Sequence, residues 1–359
     1  MTGKKKYTIR EIAKELNTTS STVSRALQNN PRISAKMRKA VQELAAFHNY
    51  QPDFRASSLA KGTGRTIGVL VPKIDRHFFS TVLSGIEEIA AAYSYNVLVC
   101  QSFESYEKEL ELVKNLMYGK VDGLIASISI ETKQAPHFEQ VVEKGLPLVF
   151  FDRVCESINA SKVVIDDYAG ACMTMEHLIE NGCQNIAHFS GPQHINVYRN
   201  RTRGFYDIMQ KYNLEINQEL VFNNVITRET GCHAMQKILA SKKLPDAIFS
   251  SGDYSALGAI LCARDAGVRV PDEIALTGFA NEPWVSFFEP PLTSVDQHAF
   301  EIGKEAATIL IQQIENHKTA FVPRTVTLNP ELIIRKSSLK KSASVPVIQN
   351  KDLIPSNDK

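Results

Sequence analysis

Residues 7–27 contain two helical patterns separated by only a short turn. Thr8 and Glu11 are spaced as a capping box, in which the hydroxyl accepts a backbone N–H three residues on and the carboxylate reaches back. Apolar residues recur at helical spacing until Asn17, a residue type that tolerates the left-handed backbone of a tight turn. Thr19 suits the N-cap of the second helix. The pattern therefore predicts that the chain begins with a helix-turn-helix unit.

A third helix is predicted from about Ser34 to His48, and it completes a small all-α core. We expect Val41, Leu44 and Phe47 to form its apolar face. The residues of the second helix expected to pack inward against it are Val23, Ala26 and Leu27.

The outward face of the second helix carries short polar side chains and one cation: Ser20, Ser21, Ser24 and Arg25. Serine can contact base edges or phosphates, and arginine can bind guanine through two hydrogen bonds. Residues 1–65 hold 13 Lys or Arg against four acids, a net charge of +9, whereas the remainder has a net charge of −7. A basic head on an acidic body is expected of a protein that binds double-stranded DNA through its head.

The segment after the third helix has the signals of a short helix, with Pro52 at its start and Gly62 beyond its end. Such a short helix is marginal by itself, so it would order only on DNA or on a second subunit. A plain interdomain linker is an equally good interpretation. The domains predicted here are a helix-turn-helix domain over 1–50 and a hinge helix with linker over 51–64.

From Ile67 onward, short apolar runs alternate with segments of helical length and pattern. The predicted strands are Ile67–Val71, Val97–Cys100, Gly123–Ile128, Leu148–Phe151, Val163–Ile165, Asn185–Phe189, Ala247–Ser250 and Ile274–Gly278. Alternating strands and helices indicate doubly wound parallel sheets covered on both faces. The alternation restarts at Val163, so two subdomains are predicted within residues 65–335. A late helix over Asp296–Asn316 is expected to return to the first subdomain, and residues 336–359 are predicted to be a disordered tail.

Other functional classes have little support in the sequence. No apolar run approaches the length of a membrane span, no secretory signal opens the chain, and the six cysteines contain no C-x-x-C pair, so we expect buried reduced thiols in a cytoplasmic protein. The nine histidines lack metal-ligand spacing, and we expect neither a metal nor a cofactor. No common catalytic motif is present. The glycines at 62–68 precede the first strand, whereas a dinucleotide loop follows one, so an enzyme is not expected.

Five motifs occur in order and at the spacing of one known family: Thr22–Leu27, Pro31–Ser34, Tyr50 with Pro52, Ala56 with Ser58–Leu59, and Arg65–Val69. On these residues the chain resembles transcription regulators of the LacI/GalR family, and the match extends to about residue 335. The resemblance implies a body with the periplasmic-binding-protein fold, two lobes with a cleft between them, and a homodimer on a pseudo-palindromic operator. It also places on Leu59 the apolar wedge that kinks DNA at the minor groove.

The resemblance and the helix pattern together give the predicted DNA contacts: Thr8, Thr19, Ser20, Ser21, Thr22, Ser24, Arg25, Arg32, Ser34, Ala56 and Leu59. The turn departs from the family pattern, because Asn17-Thr18-Thr19 replaces the usual Gly-Val-Ser. No apolar helical tail of the kind that forms tetramers is seen, so a dimer is favoured.

The resemblance also implies an effector site at the cleft, formed by Phe78, Phe79, Asp152, Asp166, Arg201, Ile226, Asp253 and Asn281. Carboxylates that bind hydroxyls, with arginine as a planar donor, suit a sugar or sugar phosphate. Two positions depart from the family pattern: Ala280 replaces the usual pocket acid, and Ile226 replaces an aromatic residue. Trp284 is an alternative stacking residue, with a packing role equally open.

The expected mechanism is allosteric. A ligand in the cleft changes the angle between the lobes, and with it the spacing of the paired hinge segments Asp53–Lys61. A secreted sugar-binding protein would share the body fold, but it would have a signal peptide and no basic helical head. One alternative remains open, an effector-independent DNA-binding dimer whose body has lost ligand sensing.

Overall fold

The computed structural model describes residues 7–27, 29–50, 64–241, 243–316 and 321–340. The chain divides into two compact units, residues 1–64 and residues 65–359. The predicted hinge helix Asp53–Lys61, with Ala56 and Leu59, lies outside the described residues, as does the tail from residue 341 onward.

The described residues of the first unit form three helices: Ile9–Glu15 (α1), Ser20–Leu27 (α2) and Ala35–Phe47 (α3). Their starts follow from local capping chemistry, as predicted. The Thr8 hydroxyl accepts the Glu11 N–H at 3.4 Å while the Glu11 carboxylate accepts the Thr8 N–H at 2.7 Å. The Thr19 hydroxyl accepts the Thr22 N–H at 3.2 Å. Asn17 has a φ of 48°, the left-handed conformation that the turn requires. The predicted helix-turn-helix is confirmed.

The core of this unit is formed by Ile12, Ala13, Val23, Ala26, Val41 and Ala45. The assignment of Phe47 to this core was wrong, because its side chain is 82% exposed. Positions 41, 45 and 48 share one stripe of α3, whereas a residue six positions after Val41 points away from it. His48 lies on that stripe instead, and its ring stacks on Tyr7 with centroids 3.8 Å apart.

The body is built on two six-stranded sheets. The first contains Thr66–Val71 (β1), Asn96–Gln101 (β2), Gly123–Ala126 (β3), Leu148–Phe151 (β4), Ser161–Ile165 (β5) and Thr325–Leu328 (β11), in the order β11-β5-β4-β3-β1-β2. The second contains Ile186–Phe189 (β6), Val221–Phe222 (β7), Ala247–Ser250 (β8), Ala275–Phe279 (β9), Thr293–Asp296 (β10) and Glu331–Ile333 (β12), in the order β12-β10-β9-β8-β6-β7. All pairs are parallel except that of β10 with β12.

Eight α-helices cover these sheets: His77–Ala92 (α4), Tyr106–Tyr118 (α5), Pro136–Glu143 (α6), Asp167–Glu180 (α7), Asn196–Lys211 (α8), Arg228–Leu239 (α9), Asp253–Asp265 (α10) and Ala299–Glu315 (α11). The predicted α/β body with two doubly wound subdomains is therefore confirmed. Each sheet with its helices is called a lobe below, the first lobe being the one built on β1–β5 and β11.

The chain crosses between the lobes three times: after β5, after β10 and between β11 and β12. One part of the prediction was wrong, since the second series does not begin at Val163. The strand β5 pairs with β4, with Val149 opposite Ser161, and so belongs to the first lobe. The late helix α11 does return to the first lobe, where Gly85 and Gly303 let it approach α4: a Cβ on Gly303 would lie 2.1 Å from the Val82 carbonyl oxygen. It begins at Ala299 because Asp296 ends β10.

The ordered body also extends beyond the predicted boundary at residue 335. Lys336–Ser338 form a 3₁₀ turn in which Ser337 and Ser338 are fully buried. The Ser337 hydroxyl donates to the Leu276 carbonyl at 2.6 Å, and Ser338 lies 2.7 Å from the His177 ring nitrogen. In the sequence, these small hydroxyl residues are typical of a polar tail. In the structure, they form hydrogen bonds with buried groups of the second lobe.

Substitutions at Ile12 and Phe47 should distinguish a core position of the head from a surface position. Ile12→Ala leaves a cavity in a fully buried site and should lower the free energy of unfolding of the head by about 2–5 kcal/mol. Phe47→Ala should change it by no more than about 0.5 kcal/mol, because the ring is exposed. Hydrogen exchange of the α3 amides measures both, and a large effect of Phe47→Ala would contradict the core assignment.

Candidate DNA-contacting face and effector cleft

The start of α2 presents a cluster of hydroxyl groups. Thr19 Oγ1 lies 2.8 Å from Ser21 Oγ and 3.0 Å from Thr22 Oγ1. The N-terminus of a helix carries unpaired N–H groups and a positive partial charge, so hydroxyls there can share in binding a phosphate. Among the predicted DNA contacts, Thr8, Thr19, Ser21, Arg25, Arg32 and Ser34 are exposed, and Ser20, Thr22 and Ser24 are half-buried.

Arg25 is the cation of this face. It lies in the last turn of α2, is exposed, and has no ion pair within the described part of the chain. Val23 and Ala26, on either side of it in the sequence, are fully buried and hold α2 on the core. The helix thus presents a free guanidinium from a fixed backbone, as bidentate recognition of a base requires.

A cavity of about 150 Å³ lies between the two lobes of the body. The residues that line it follow the carboxyl ends of strands in both sheets, which is where ligands of open α/β sheets bind. Six of the eight predicted effector residues line it: Phe78, Phe79, Asp152, Arg201, Ile226 and Asp253.

Arg201 is held from three sides within the second lobe. Its guanidinium lies 2.6 Å from the Asp167 carboxylate, donates to the Ser251 carbonyl at 2.7 Å, and stacks 3.6 Å from the Phe279 ring. Only 5% of Arg201 is exposed. Burial raises the pKa of Asp167, and the charge of Arg201 opposes that shift. The pair fixes a planar donor in the wall of the cavity.

Asp152 reaches the cavity from the first lobe. Its φ is 56°, so the backbone turns sharply after β4 and brings the carboxylate to the end of the sheet. Burial raises the pKa of Asp152, while the charges of Arg153 and Arg201 lower it. Arg153 follows in the sequence and binds the Glu104 carboxylate at 2.8 Å. Neither Arg153 nor Glu104 was predicted, although Arg153 stands beside the one predicted acid of this strand end.

Asp253 begins α10 and is 1% exposed. Its carboxylate accepts hydrogen bonds from the Ser294 hydroxyl at 2.6 Å and the Glu282 N–H at 2.8 Å. A Cβ on Gly278 would lie 2.1 Å from this carboxylate, which explains the glycine at the end of β9. Burial raises the pKa of Asp253 to about 6.

Two predicted residues, Asp166 and Asn281, are not among those that line this cavity. Asp166 is the N-cap of α7, and its carboxylate accepts the Ala169 N–H at 2.9 Å. The neighbouring Asp167 pairs with Arg201 behind the cavity lining. Asn281 donates to Asp296 at 2.8 Å and accepts from Arg335 at 2.8 Å. Both side chains are therefore engaged in hydrogen bonds with other groups of the protein.

The two departures from the family pattern, Ile226 and Ala280, both line the cavity. Ala280 has a φ of 122°, a conformation that costs a residue other than glycine about 1–3 kcal/mol. Trp284 does not line this cavity but packs edge-on against Tyr254 and Phe288, with centroids 5.4 Å apart in each case. Lining residues that the sequence did not reveal include Lys73, Arg76, Tyr198, Glu282 and Gln297.

Within the residues that the structure describes, no group of three or more His, Cys, Asp or Glu side chains could hold a metal ion. No helix in that part is long and apolar enough to cross a membrane. All six cysteines are free; Cys183 and Cys262 are buried, and the other four are half-buried.

The raised pKa of Asp253 predicts a pH dependence of stability. The folded state keeps this proton up to about pH 6, whereas the unfolded chain loses it near pH 4. The contribution of Asp253 to stability is therefore complete below pH 4 and is lost as pH rises through 6, on the order of 3 kcal/mol in all. Urea unfolding between pH 4 and 7 should show a steeper loss of stability in the wild type than in Asp253→Asn, which keeps only the slope due to Asp167 and Asp152. Asp265→Asn, at a carboxylate that is 75% exposed, is the matched control and should keep the slope.

Comparisons with known proteins agree with this architecture. The family described as bacterial regulatory proteins, lacI family, matches residues 8–53, and a periplasmic binding protein-like domain matches residues 175–338. The ribose operon repressor of Halalkalibacterium halodurans is 32% identical over 312 residues, which are 86% of this chain and 90% of that protein. The HTH-type transcriptional repressor PurR of Actinobacillus pleuropneumoniae is 28% identical over 330 residues, 92% of this chain and 98% of that protein.

Among solved structures, the Lac repressor bound to ONPG in its repressed state has a TM-score of 0.82 at 25% identity, covering 93% of this chain and 100% of that one. The proteins named here are regulators of transcription, which agrees with the absence of catalytic motifs in the sequence. On the evidence of a relative at 32% identity across most of its length, together with the matching head and body, the chain belongs to the lacI family of bacterial DNA-binding transcriptional regulators.

Proposed function

We propose that this regulator binds a pseudo-palindromic operator as a homodimer and responds to a small effector, a sugar or sugar phosphate, in the cleft of its body. The observation that carries the proposal is that one chain contains both features: an exposed Arg25 on the head, with no ion pair among the described residues, and a polar cavity between the two lobes of the body. In this proposal residues 1–50 read the DNA, residues 51–64 form the hinge, and the body from residue 65 onward binds the effector and dimerises. Such a protein acts on the chromosome, so we place it in the cytoplasm.

The polar lining of the cavity supports a ligand rich in hydroxyl groups. Asp152 and Asp253 offer acceptors, and Arg201 offers a planar donor whose other positions are already held by Asp167 and Ser251. Phe78 and Phe79 add an aromatic wall from the first lobe. A few polar groups that converge in an apolar wall are typical of small-molecule sites.

The sites on the head follow from the exposed face of α2. Arg25 is proposed to read a guanine, and the hydroxyls of Thr19, Ser20, Ser21, Thr22 and Ser24 are proposed to contact base edges and phosphates. Arg32, Ser34 and Thr8 are proposed as further backbone contacts. Ala56 and Leu59 are proposed to contact the minor groove from the hinge.

Control by the effector is proposed to act through the angle between the lobes. The three crossings lie at the cleft, so a ligand that contacts both lobes shifts their relative position. A second candidate, a dimer whose body does not sense a ligand, is favoured by one observation: the cavity holds about 150 Å³, below the roughly 300–1,000 Å³ usual for ligand pockets.

Replacing Arg25 tests the reading of DNA. Arg25→Ala should lower the preference for one base pair in each half-site by about 10–100-fold, because a bidentate contact to guanine is lost. The operator is first selected from random duplexes with the wild-type chain, and binding is then compared between it and single-base variants. Arg10→Ala removes the same charge from α1, so it should weaken binding to all sequences alike. An unchanged base preference in Arg25→Ala would show that α2 is not the reading helix.

Replacing Asp152 tests the effector site. The wild type is screened by thermal shift against sugars, sugar phosphates and nucleosides, since a ligand at 100 times its Kd adds about 2.7 kcal/mol of stability. For a ligand found in this way, Asp152→Asn should raise Kd by about tenfold or more, because a hydrogen bond to a charged acceptor is lost. Asp207→Asn is the control, as Asp207 is exposed and binds the Tyr168 hydroxyl. Equal affinity of both variants would remove Asp152 from the site.

A further inference from the structure

The two lobes are joined across the cleft by side chains of the protein itself. Asn196, at the start of α8 in the second lobe, donates to the Asp152 carbonyl at 2.9 Å and accepts the Val154 N–H at 3.0 Å. Both partners belong to the loop after β4 in the first lobe. Asn196 is only 5% exposed, so these bonds replace water at both backbone groups. A side-chain amide bonded to two backbone groups of the other lobe fixes their separation.

Arg153 is a buried cation that lines the cavity between the lobes. Its guanidinium binds Glu104 at 2.8 Å in its own lobe and lies 5.9 Å from the ring centroids of Phe79 and of Tyr198, the latter in the second lobe. The side chain is 10% exposed. A buried guanidinium is stable only when its donors are satisfied, and here the protein supplies the partners.

Glu282 reaches from the second lobe to the start of α4 in the first. The N-cap residue of α4, Arg76, gives that helix no side-chain cap, so its first N–H groups need an acceptor from elsewhere. Burial raises the pKa of Glu282, whereas the charge of Arg76 and the backbone N–H groups of Phe78 and His77 lower it. Glu282 is 4% exposed, so its carboxylate is buried close to the first N–H groups of α4. Beside it, the Arg76 guanidinium lies 3.5 Å from the Tyr254 ring of the second lobe.

We propose that the cleft is closed by the protein itself, with Asn196, Arg153 and Glu282 as positioning residues that hold the lobes together when no effector is bound. The three groups make the kinds of contact that a polar ligand makes with both lobes: a paired amide, a buried cation and a carboxylate at a helix start. They also account for the small volume of the cavity, because Arg153 and Glu282 occupy space that a ligand would take.

The proposal sets what an effector must do, and this part rests on the proposed function. A ligand that enters displaces Arg153 or Glu282 and takes over their partners. It therefore acts by opening or reshaping a closed cleft rather than by closing an open one. The Val154 amide reports the closed state directly, since its hydrogen-bond acceptor, the Asn196 side chain, lies on the other lobe. The His77 and Phe78 amides lie close to the Glu282 carboxylate of the other lobe and report the same state.

The test is hydrogen exchange of the full-length protein without ligand, followed at the Val154, His77 and Phe78 amides. In the wild type these amides should exchange at least about tenfold more slowly than in Asn196→Ala, where the lobes separate. Arg199→Gln is the matched control. It also breaks a contact between the lobes, to Glu156 at 2.6 Å, but both side chains are largely exposed, so exchange should not change.

A second variant and a second readout keep the test decisive if Asn196→Ala does not fold. Glu282→Gln keeps the shape of the side chain but removes its charge, and it should speed exchange at His77 and Phe78 by at least about threefold. Trp284, the one tryptophan of the chain, lies close enough to the Glu282 carboxylate to lower its pKa, so its emission should shift in this variant and not in Arg199→Gln.

Rapid exchange of all three amides in the ligand-free wild type, equal to that in the variants, would overturn the proposal. That result leaves DNA binding and effector binding untouched, because both are measured separately. Protection that all three variants abolish equally, the control included, would also overturn it, as the named residues would then have no special part.

Discussion

Three crossings of the chain between two sheets are the constraint on which the rest of the structure depends. Because the chain leaves the first lobe after β5, returns after β10 and leaves again after β11, neither lobe can form from one continuous segment. The carboxyl ends of both sheets consequently face one cleft. Asp152 and Asp253 reach the candidate effector site through that arrangement, since Asp152 comes directly after β4 and Asp253 begins the helix after β8.

The cleft is lined by charges, and most of them are neutralised by one another. Arg201 is paired with Asp167, Arg153 with Glu104, and Glu282 with the start of α4. Burying such groups is costly unless each has a partner, and here the protein supplies the partners. A ligand that displaces any of these groups must offer equivalent partners, and that requirement makes the site selective.

The sequence predicted what depends on near neighbours in the chain. The caps at Thr8 and Thr19, the turn at Asn17 and the central strands follow from local chemistry and apolar runs. The edge strands β7, β11 and β12 were not predicted, because none of their residues is buried and they form no apolar run like those of the central strands. The partners of Arg201 and the place of Glu282 close to the start of α4 escaped because they join positions far apart in the chain. Asp166 was assigned to the effector site on the resemblance, and only the start of α7 reveals it as an N-cap while Asp167 pairs with Arg201.

In the proposed mechanism, effector binding in the cleft is coupled to DNA binding by the head, and such coupling is reciprocal. The most direct test is the Kd of an identified effector, measured by calorimetry on the full-length protein with and without a saturating duplex that carries the selected operator. The account predicts that operator DNA changes this Kd by about 5–150-fold, the same factor by which the effector changes the affinity for DNA. An identical Kd in both titrations would contradict it, and the body would then bind its ligand without controlling the head.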